Sequence, residues 1–194
     1  PLIGERRATD AITTAPSIAV MPFVNLSSNP DDEYVSDGLT EEIVTKLGSV
    51  RGLRVVARTS SYRFKGKHAP VADIAQALQV NHLLQGSVRR SGVRLRVSAQ
   101  LIDARVDEHI WSQTFDRDAS DIFGIQEEIA LAVVAALKVS LLDADEFRIR
   151  RRGTNDTEAY RLYLVALPHL LGRTRPPDMN VAKRSLDAAI ERDP

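Results

Sequence analysis

Residues 93–101 alternate without a break. Val93, Leu95, Val97, Ala99 and Leu101 fall on one side, and Arg94, Arg96, Ser98 and Gln100 on the other. A period of two is the spacing of a strand's two faces, so this segment is expected to be a strand with one face buried and one wet. Such a strand needs partners for its backbone and a layer over its apolar side. Residues 82–89 read as a second strand joined to it by a turn at Ser91-Gly92. Residues 109–115 read as a third, returning after a turn over 103–108. Together they predict an antiparallel meander, with Trp111 and Phe115 on one face of its last strand and in the core.

Ahead of the meander, Ile18-Ala19-Val20-Met21-Pro22-Phe23 is a short apolar run closed by proline, the pattern of a buried strand. A polar loop follows. Residues 36–42 read as a helix start, with small polar caps at Ser36 and Asp37 and an acidic first turn. Leu39, Ile43, Val44, Leu47 and Val50 then share a helical face. Residues 53–57 read as a second strand and 58–67 as a basic, aromatic-containing loop. Pro70 suits the first turn of a helix that points Val71, Ile74, Ala75 and Leu78 inward. After the meander, residues 121–142 read as one long amphipathic helix. The order predicts an α/β fold with a mixed sheet, a parallel βαβ start plus the antiparallel meander, packed with helices.

The 194 residues suffice for one core and an appendage. The expected divisions are a linker (1–16), the α/β domain (17–146), a basic joint (147–156) carrying Arg148, Arg150, Arg151 and Arg152, and a helical hairpin (157–194) with Pro176 and Pro177 in its loop. Lys+Arg and Asp+Glu are both 26, so no bulk field draws the chain to nucleic acid or an anionic membrane. The lack of cysteine excludes disulfides, thiolate catalysis and Cys-type zinc sites. No apolar run reaches the ~18 residues of a membrane span, and residues 1–14 lack the apolar centre of a signal peptide. A start without Met and an end just past a helix lead us to expect a piece of a longer protein.

Several stretches carry a resemblance. Residues 17–27 (Ser-Ile-Ala-Val-Met-Pro-Phe-Val-Asn-Leu-Ser) and 34–43 (Tyr-Val-Ser-Asp-Gly-Leu-Thr-Glu-Glu-Ile) resemble the start of the TolB-like amino-terminal domain family. Residues 57–62, 84–89 and 100–104, with Trp111, agree in order. The resemblance covers about residues 17–142. It implies a fold like that of the anticodon-binding domains of some tRNA synthetases. It also implies a regulatory or assembly role beside an effector, often a class III adenylate or guanylate cyclase or a winged-helix DNA-binding domain, commonly with a membrane span between. It implies no catalytic residue and no cofactor. Val106-Asp107-Glu108 departs from it, because a glycine turn is expected there. Ala182, Leu186, Ala189 and Pro194 resemble the second helix of a tetratricopeptide repeat. Since one repeat cannot bury its own face, more repeats and a protein partner on the helices are expected.

No residue pattern points to catalysis. His68, His82, His109 and His169 are scattered, without metal-ligand spacing, and no nucleophile elbow, phosphate loop or dinucleotide fingerprint occurs. Asp31, Asp32 and Glu33 read as a solvated loop rather than a calcium site. The helix start at residues 37–40 reads as ordinary capping rather than an anion site, because acids already stand there. Arg89, Arg90, Arg94 and Arg96 read as the wet face of a hairpin, without the aromatics that RNA stacking uses. The sharpest candidate follows the second strand, where open α/β sheets place ligands. There Arg58, Ser60, Ser61, Lys65 and Lys67 offer cations and hydroxyls to a small anionic ligand, against the plainer reading of a basic surface loop. The leading expectation is a non-catalytic, protein-interaction and relay module of a bacterial regulator. The alternatives are the regulatory part of a nucleotide cyclase and a nucleic-acid-binding module. Self-association into a homodimer would cover the hairpin's apolar face. The compartment follows any upstream span: periplasmic with one, which is preferred, and cytoplasmic without.

Overall fold

The computed structural model describes residues 15–172 and 176–194, so nearly all of the expected linker lies outside the described residues. The meander is present as β4 (His82–Ser91), β5 (Arg94–Asp103) and β6 (Glu108–Asp118). Leu95, Val97, Ala99 and Leu101 are buried as the alternation predicts. Val93 is not, because it sits in the turn after Gly92 and is 70% exposed. Asp107 adopts φ 55°, the left-handed region for which a glycine was expected. Aspartate tolerates that conformation better than most side chains, so the turn survives without glycine.

The chain enters through β1 (Ser17–Val20) and β2 (Val24–Asn25), passes α1 (Glu33–Gly48), and makes the two-residue β3 (Arg54–Val55). Then come α2 (Arg58–Ser61) and α3 (Val71–Leu78). The strand order is β3-β1-β4-β5-β6, with β2 also on β4. β1 is parallel to both β3 and β4, and the other neighbours along the meander are antiparallel. This is the mixed sheet of the prediction.

Pro22 interrupts the first strand because it has no N–H to give the ladder. Phe23 gives its N–H instead to Thr40 Oγ1 in α1, at 3.0 Å, and the Thr40 hydroxyl donates to Ser36 O at 2.7 Å. The Phe23 ring lies on Gly86 of β4. A Cβ there would stand 2.7 Å from Phe23 Cδ1 and closer still to the Ser98 carbonyl. The apolar run, the Gly-Leu-Thr motif and the Leu84-Gln85-Gly86 motif are therefore parts of one packing unit.

Beyond the sheet run α4 (Ile122–Ala136), α5 (Asp143–Arg150), α6 (Thr157–Leu170) and α7 (Met179–Arg192). Ile18, Val20, Leu84, Val97 and Leu101 on one sheet face form a single core with Leu39 and Ile43 of α1, Ile125 and Ile129 of α4, and Tyr160 and Leu164 of α6. On the opposite face, Ala19, Met21 and Leu83 pack under Ile74, Ala75 and Leu78 of α3. With only eight residues, α3 covers only part of that face.

Three expectations are corrected. Helix α1 begins at Glu33 behind a 3-10 turn at Pro30–Asp32, so Ser36 and Asp37 lie inside it rather than capping it. The helix expected over 121–142 stops at Ala136. Lys138 takes φ 53° there, with Lys138 N–H bonded to Ala135 O and Val139 N–H to Val134 O, the left-handed stop usually made with glycine. The first four residues of the basic joint, 147–150, end α5, and three of the joint's arginines are paired: Arg148 to Asp145 (3.1 Å), Arg150 to Glu127 (2.6 Å) and Glu146 (2.8 Å), and Arg152 to Glu127 (3.6 Å). Buried Lys46 of α1 ends this helix by donating to Ile149 O at 2.7 Å.

The hairpin forms as predicted. Asp156 caps α6 through Glu158 N and Ala159 N, and Asp178 caps α7 through Asn180 N and Val181 N. Arg192 at the end of α7 reaches Asp156 at the start of α6 (3.0 Å), which makes the pair antiparallel. Among the described residues, no helix is long and apolar enough to cross a membrane.

Candidate functional site

Because α3 is short, the second face of β4, β5 and β6 stays open. Its two central rows form a neutral grid, bordered by Arg96 and Asp116 in the next row. Gln85 pairs across to Gln100 and that to Ser112, while Ser87 pairs to Ser98 and that to Thr114. Ser98 Oγ and Thr114 Oγ1 are 3.1 Å apart. Over this floor stands a wall, residues 64–69, running from the end of the 3-10 turn Tyr62–Phe64 to the start of α3. Floor and wall enclose a cleft of about 480 Å³, with Met21, Pro22 and Ile74 as its apolar side. Clefts of this size hold small molecules, with a few polar groups setting orientation. Lys67 and His68 are exposed on its rim.

The wall is tied to α1 by a charged cluster. Lys65 Nζ bonds Glu33 (2.5 Å) and Asp37 (2.6 Å), and Tyr62 OH donates to Asp37 at 2.9 Å. Arg58 bonds Glu41 at 2.6 Å and lies over the Tyr62 ring, 3.9 Å from its centroid. Burial first, and the Asp37 carboxylate second, push the Tyr62 phenol well above its ordinary range, so it stays a donor. Burial alone would lower the Lys65 ammonium, but its hydrogen bonds to Asp37 and Glu33 outweigh this and raise it. Asp37 is buried. One residue on, Gly38 leaves room for Leu164 of α6; a Cβ there would stand 2.6 Å from Leu164 Cδ1. Adjacent residues of α1 thus hold the cleft wall on one side and the hairpin on the other.

Residues 13–132 match the family model of the HilA/YgeH-like transcriptional regulator, second domain. The chain belongs to this family. It is also 41% identical over 179 residues to a curated protein of Rhizobium meliloti (strain 1021) named "Putative adenylate cyclase 3", covering 92% of this chain. The chain spans 30% of that protein's length. Solved structures of similar fold include TolB from Acinetobacter baumannii, 19% identical, covering 63% of this chain and 28% of that one, TM-score 0.46. Another is the lipoprotein GNA1162 from Neisseria meningitidis, 20% identical, covering 65% and 99%, TM-score 0.46. These two likenesses are of fold alone.

In this HilA/YgeH-like domain the five residues singled out from the sequence do not form one site. Lys65 and Lys67 border the cleft, although the Lys65 ammonium is turned onto α1. The Arg58 side chain is only 11% exposed, and Ser61 is fully buried; Arg58 Nε and Nη2 and Ser61 Oγ have no hydrogen-bond partner among the described residues. Ser60 lies half-buried on α2, a helix where a loop was expected. The anion reading at residues 37–40 falls away, since those amides lie inside α1. The arginine stripe is divided. Arg94 and Arg96 grip Asp116 (2.6 and 2.5 Å), while Arg90 turns to the other face, to Tyr34 OH (3.0 Å). Among the described residues, no cluster of three metal-ligating side chains occurs. By sequence alone the grid residues Gln85, Ser87, Ser98, Gln100 and Ser112 read as no more than a solvated face. The alternation that set them opposite the core was the signal that could have found them.

Proposed function

We propose that this chain is a non-catalytic regulatory module of a larger signalling protein. In this reading the state of the cleft is passed through α1 to the helical hairpin and on to an effector. The observation that carries it is the adjacency of Asp37 and Gly38: Tyr62 and Lys65 hold the first, and Leu164 of α6 packs on the second. A shift of the wall that pulls on Asp37 moves the seat of α6. Packed elements of this kind transmit a displacement because close-packed interiors deform little. Of the residues offered for ligand contact, Lys67 keeps that role on the wall, while Lys65 ties the wall to α1. Arg58, Ser60 and Ser61 serve to hold it.

The comparisons support regulation over chemistry in this segment. One relative is named as a cyclase and the family as a transcriptional regulator, so the same domain accompanies different outputs. The 41% identity favours a cyclase as the effector, lying outside this chain. Residues 17–146 are read as the sensing unit. Residues 157–194 are read as the opening of a tetratricopeptide-type array, with Ala182 buried between its helices and a protein partner on its face. Hydrogen exchange tests the relay. Tyr62→Phe and Lys65→Met variants should lose amide protection in α6 as well as in residues 58–67. Faster exchange confined to 58–67 would sink it.

A further inference from the structure

We infer that the cleft takes a small phosphorylated sugar, its hydroxyls on the neutral grid and its phosphate at Lys67 and His68. This rests on the reading of the cleft as the sensing site and names what it senses. The floor offers Gln85, Ser87, Ser98, Gln100 and Ser112, all from the open face of the meander. Hydroxyls and amides each donate and accept, which matches a polyol, whose hydroxyls do the same. Strands lie ~4.8 Å apart and like-facing residues along a strand ~7 Å apart. The grid therefore meets several hydroxyls of one ligand at once, while an isolated alcohol would engage a single row.

The charge pattern selects the rest. Among the described residues no aspartate or glutamate lines the cleft, so an anion meets no repulsion there. Lys65 is already neutralised by Glu33 and Asp37, which leaves Lys67 as the cation able to turn inward, with His68 beside it. Neither pairs with a carboxylate among the described residues. A lysine ammonium suits phosphate as a compact point charge. The half-buried Phe64 ring and Pro22 supply an apolar flank for the carbon face of a sugar ring. A volume of about 480 Å³ suits a small molecule rather than a folded partner.

The test is titration calorimetry on the whole chain with a panel of hexose and pentose phosphates, glucose and inorganic phosphate as probes. At least one sugar phosphate should bind saturably, about tenfold or more tighter than glucose or inorganic phosphate alone. Lys67→Met should reduce it to the level of the neutral sugar, and Ser98→Val with Gln100→Leu to the level of inorganic phosphate. Both sets of changes lie on exposed or open surface, and circular dichroism checks that the fold is kept. Three results would overturn the inference: no saturable binding across the panel, equal binding by inorganic phosphate, or unaltered binding in both variants. Binding that leaves α6 exchange unchanged would uphold this ligand class and refute the relay. An α6 response to Lys65→Met with no binding would do the reverse.

Discussion

Replacing Gly38 by alanine probes the joint on which the relay depends. The new methyl would stand 2.6 Å from Leu164 Cδ1, 3.0 Å from Cγ and closer still to Cδ2. Ordinary carbon contacts lie at ~3.5–4.0 Å, so either Leu164 abandons its rotamer or α6 retreats by about 1 Å. Leu164 is 3% exposed and has little room to turn. Overpacking of this kind costs ~1–3 kcal/mol, and two carbons in conflict place it near the upper end. The Gly-to-Ala change inside a helix returns ~1 kcal/mol through backbone propensity. The net loss is about 2 kcal/mol, which for a chain of this size lowers Tm by ~4–8 °C. Leu164→Ala alone should cost ~2–5 kcal/mol for the cavity it leaves. In the double variant the methyl introduced at position 38 fills part of that cavity, so the two losses should fall short of their sum by ~1 kcal/mol or more. Thermal melts of the four proteins, with hydrogen exchange on α6, measure this. A Gly38→Ala protein that melts higher than the parent, or strictly additive losses, would refute the close packing of α1 on α6.

Three further outcomes are expected. Gly86→Ala should destabilise by ~3 kcal/mol or more, because its methyl meets the fixed Ser98 carbonyl as well as the Phe23 ring; urea unfolding reads the loss, and a change below ~1 kcal/mol would contradict the geometry. Lys46→Met keeps the stem but leaves Ile149 O and Arg151 O without their donor, so about 2 kcal/mol should be lost and α5 should exchange first; parent-like protection in α5 would count against it. Burial holds the His82 imidazole below its ordinary 6.5, so as pH falls through about 6.5 the unfolded chain takes up the proton before the folded one and stability drops. Melting at about pH 7.5 and 5.5 should show this fall in the parent and a smaller one in His82→Asn, equal slopes being the refuting result. Asp103, held at about 2 chiefly by its hydrogen bond from Arg105, acts in a separate window: its contribution is full above about 3.8 and fades as pH drops towards 2.

The meander and the hairpin were legible because their signals are local. The alternation of residues 93–101 needs only its own side chains, and Asp156 and Asp178 cap helices within three residues. The expectation of a turn glycine near 106–108 was useful even though the residue is Asp107, since the backbone still takes the left-handed shape. The misreadings have equally definite causes. The stop after Ala136 is a left-handed turn at Lys138, and no glycine marks it. Glu41 and Glu42 close behind Asp37 read as a first turn because the actual start, behind the 3-10 turn at Pro30–Asp32, lies in a polar loop. The candidate site was half legible: Lys65 and Lys67 were found, but the grid on the open face was not, because a wet strand face looks the same whether or not a wall stands over it.

From its own pattern of residues, the chain determines the order of strands and helices, the parallel start and the antiparallel finish. Those follow from periodicity and turn chemistry, which act over about ten residues. Only the tertiary structure decides what the charges are for. Arg58 and Lys65 meet acids 17 and more positions earlier in the chain, and Arg90 and Arg96 end on opposite faces with different partners. It also decides that one sheet face is sealed by α1, α4 and α6 while the other is left partly open by the eight residues of α3. Charge pairing and enclosure depend on distances that exist only once layers have packed, and no local signal encodes them.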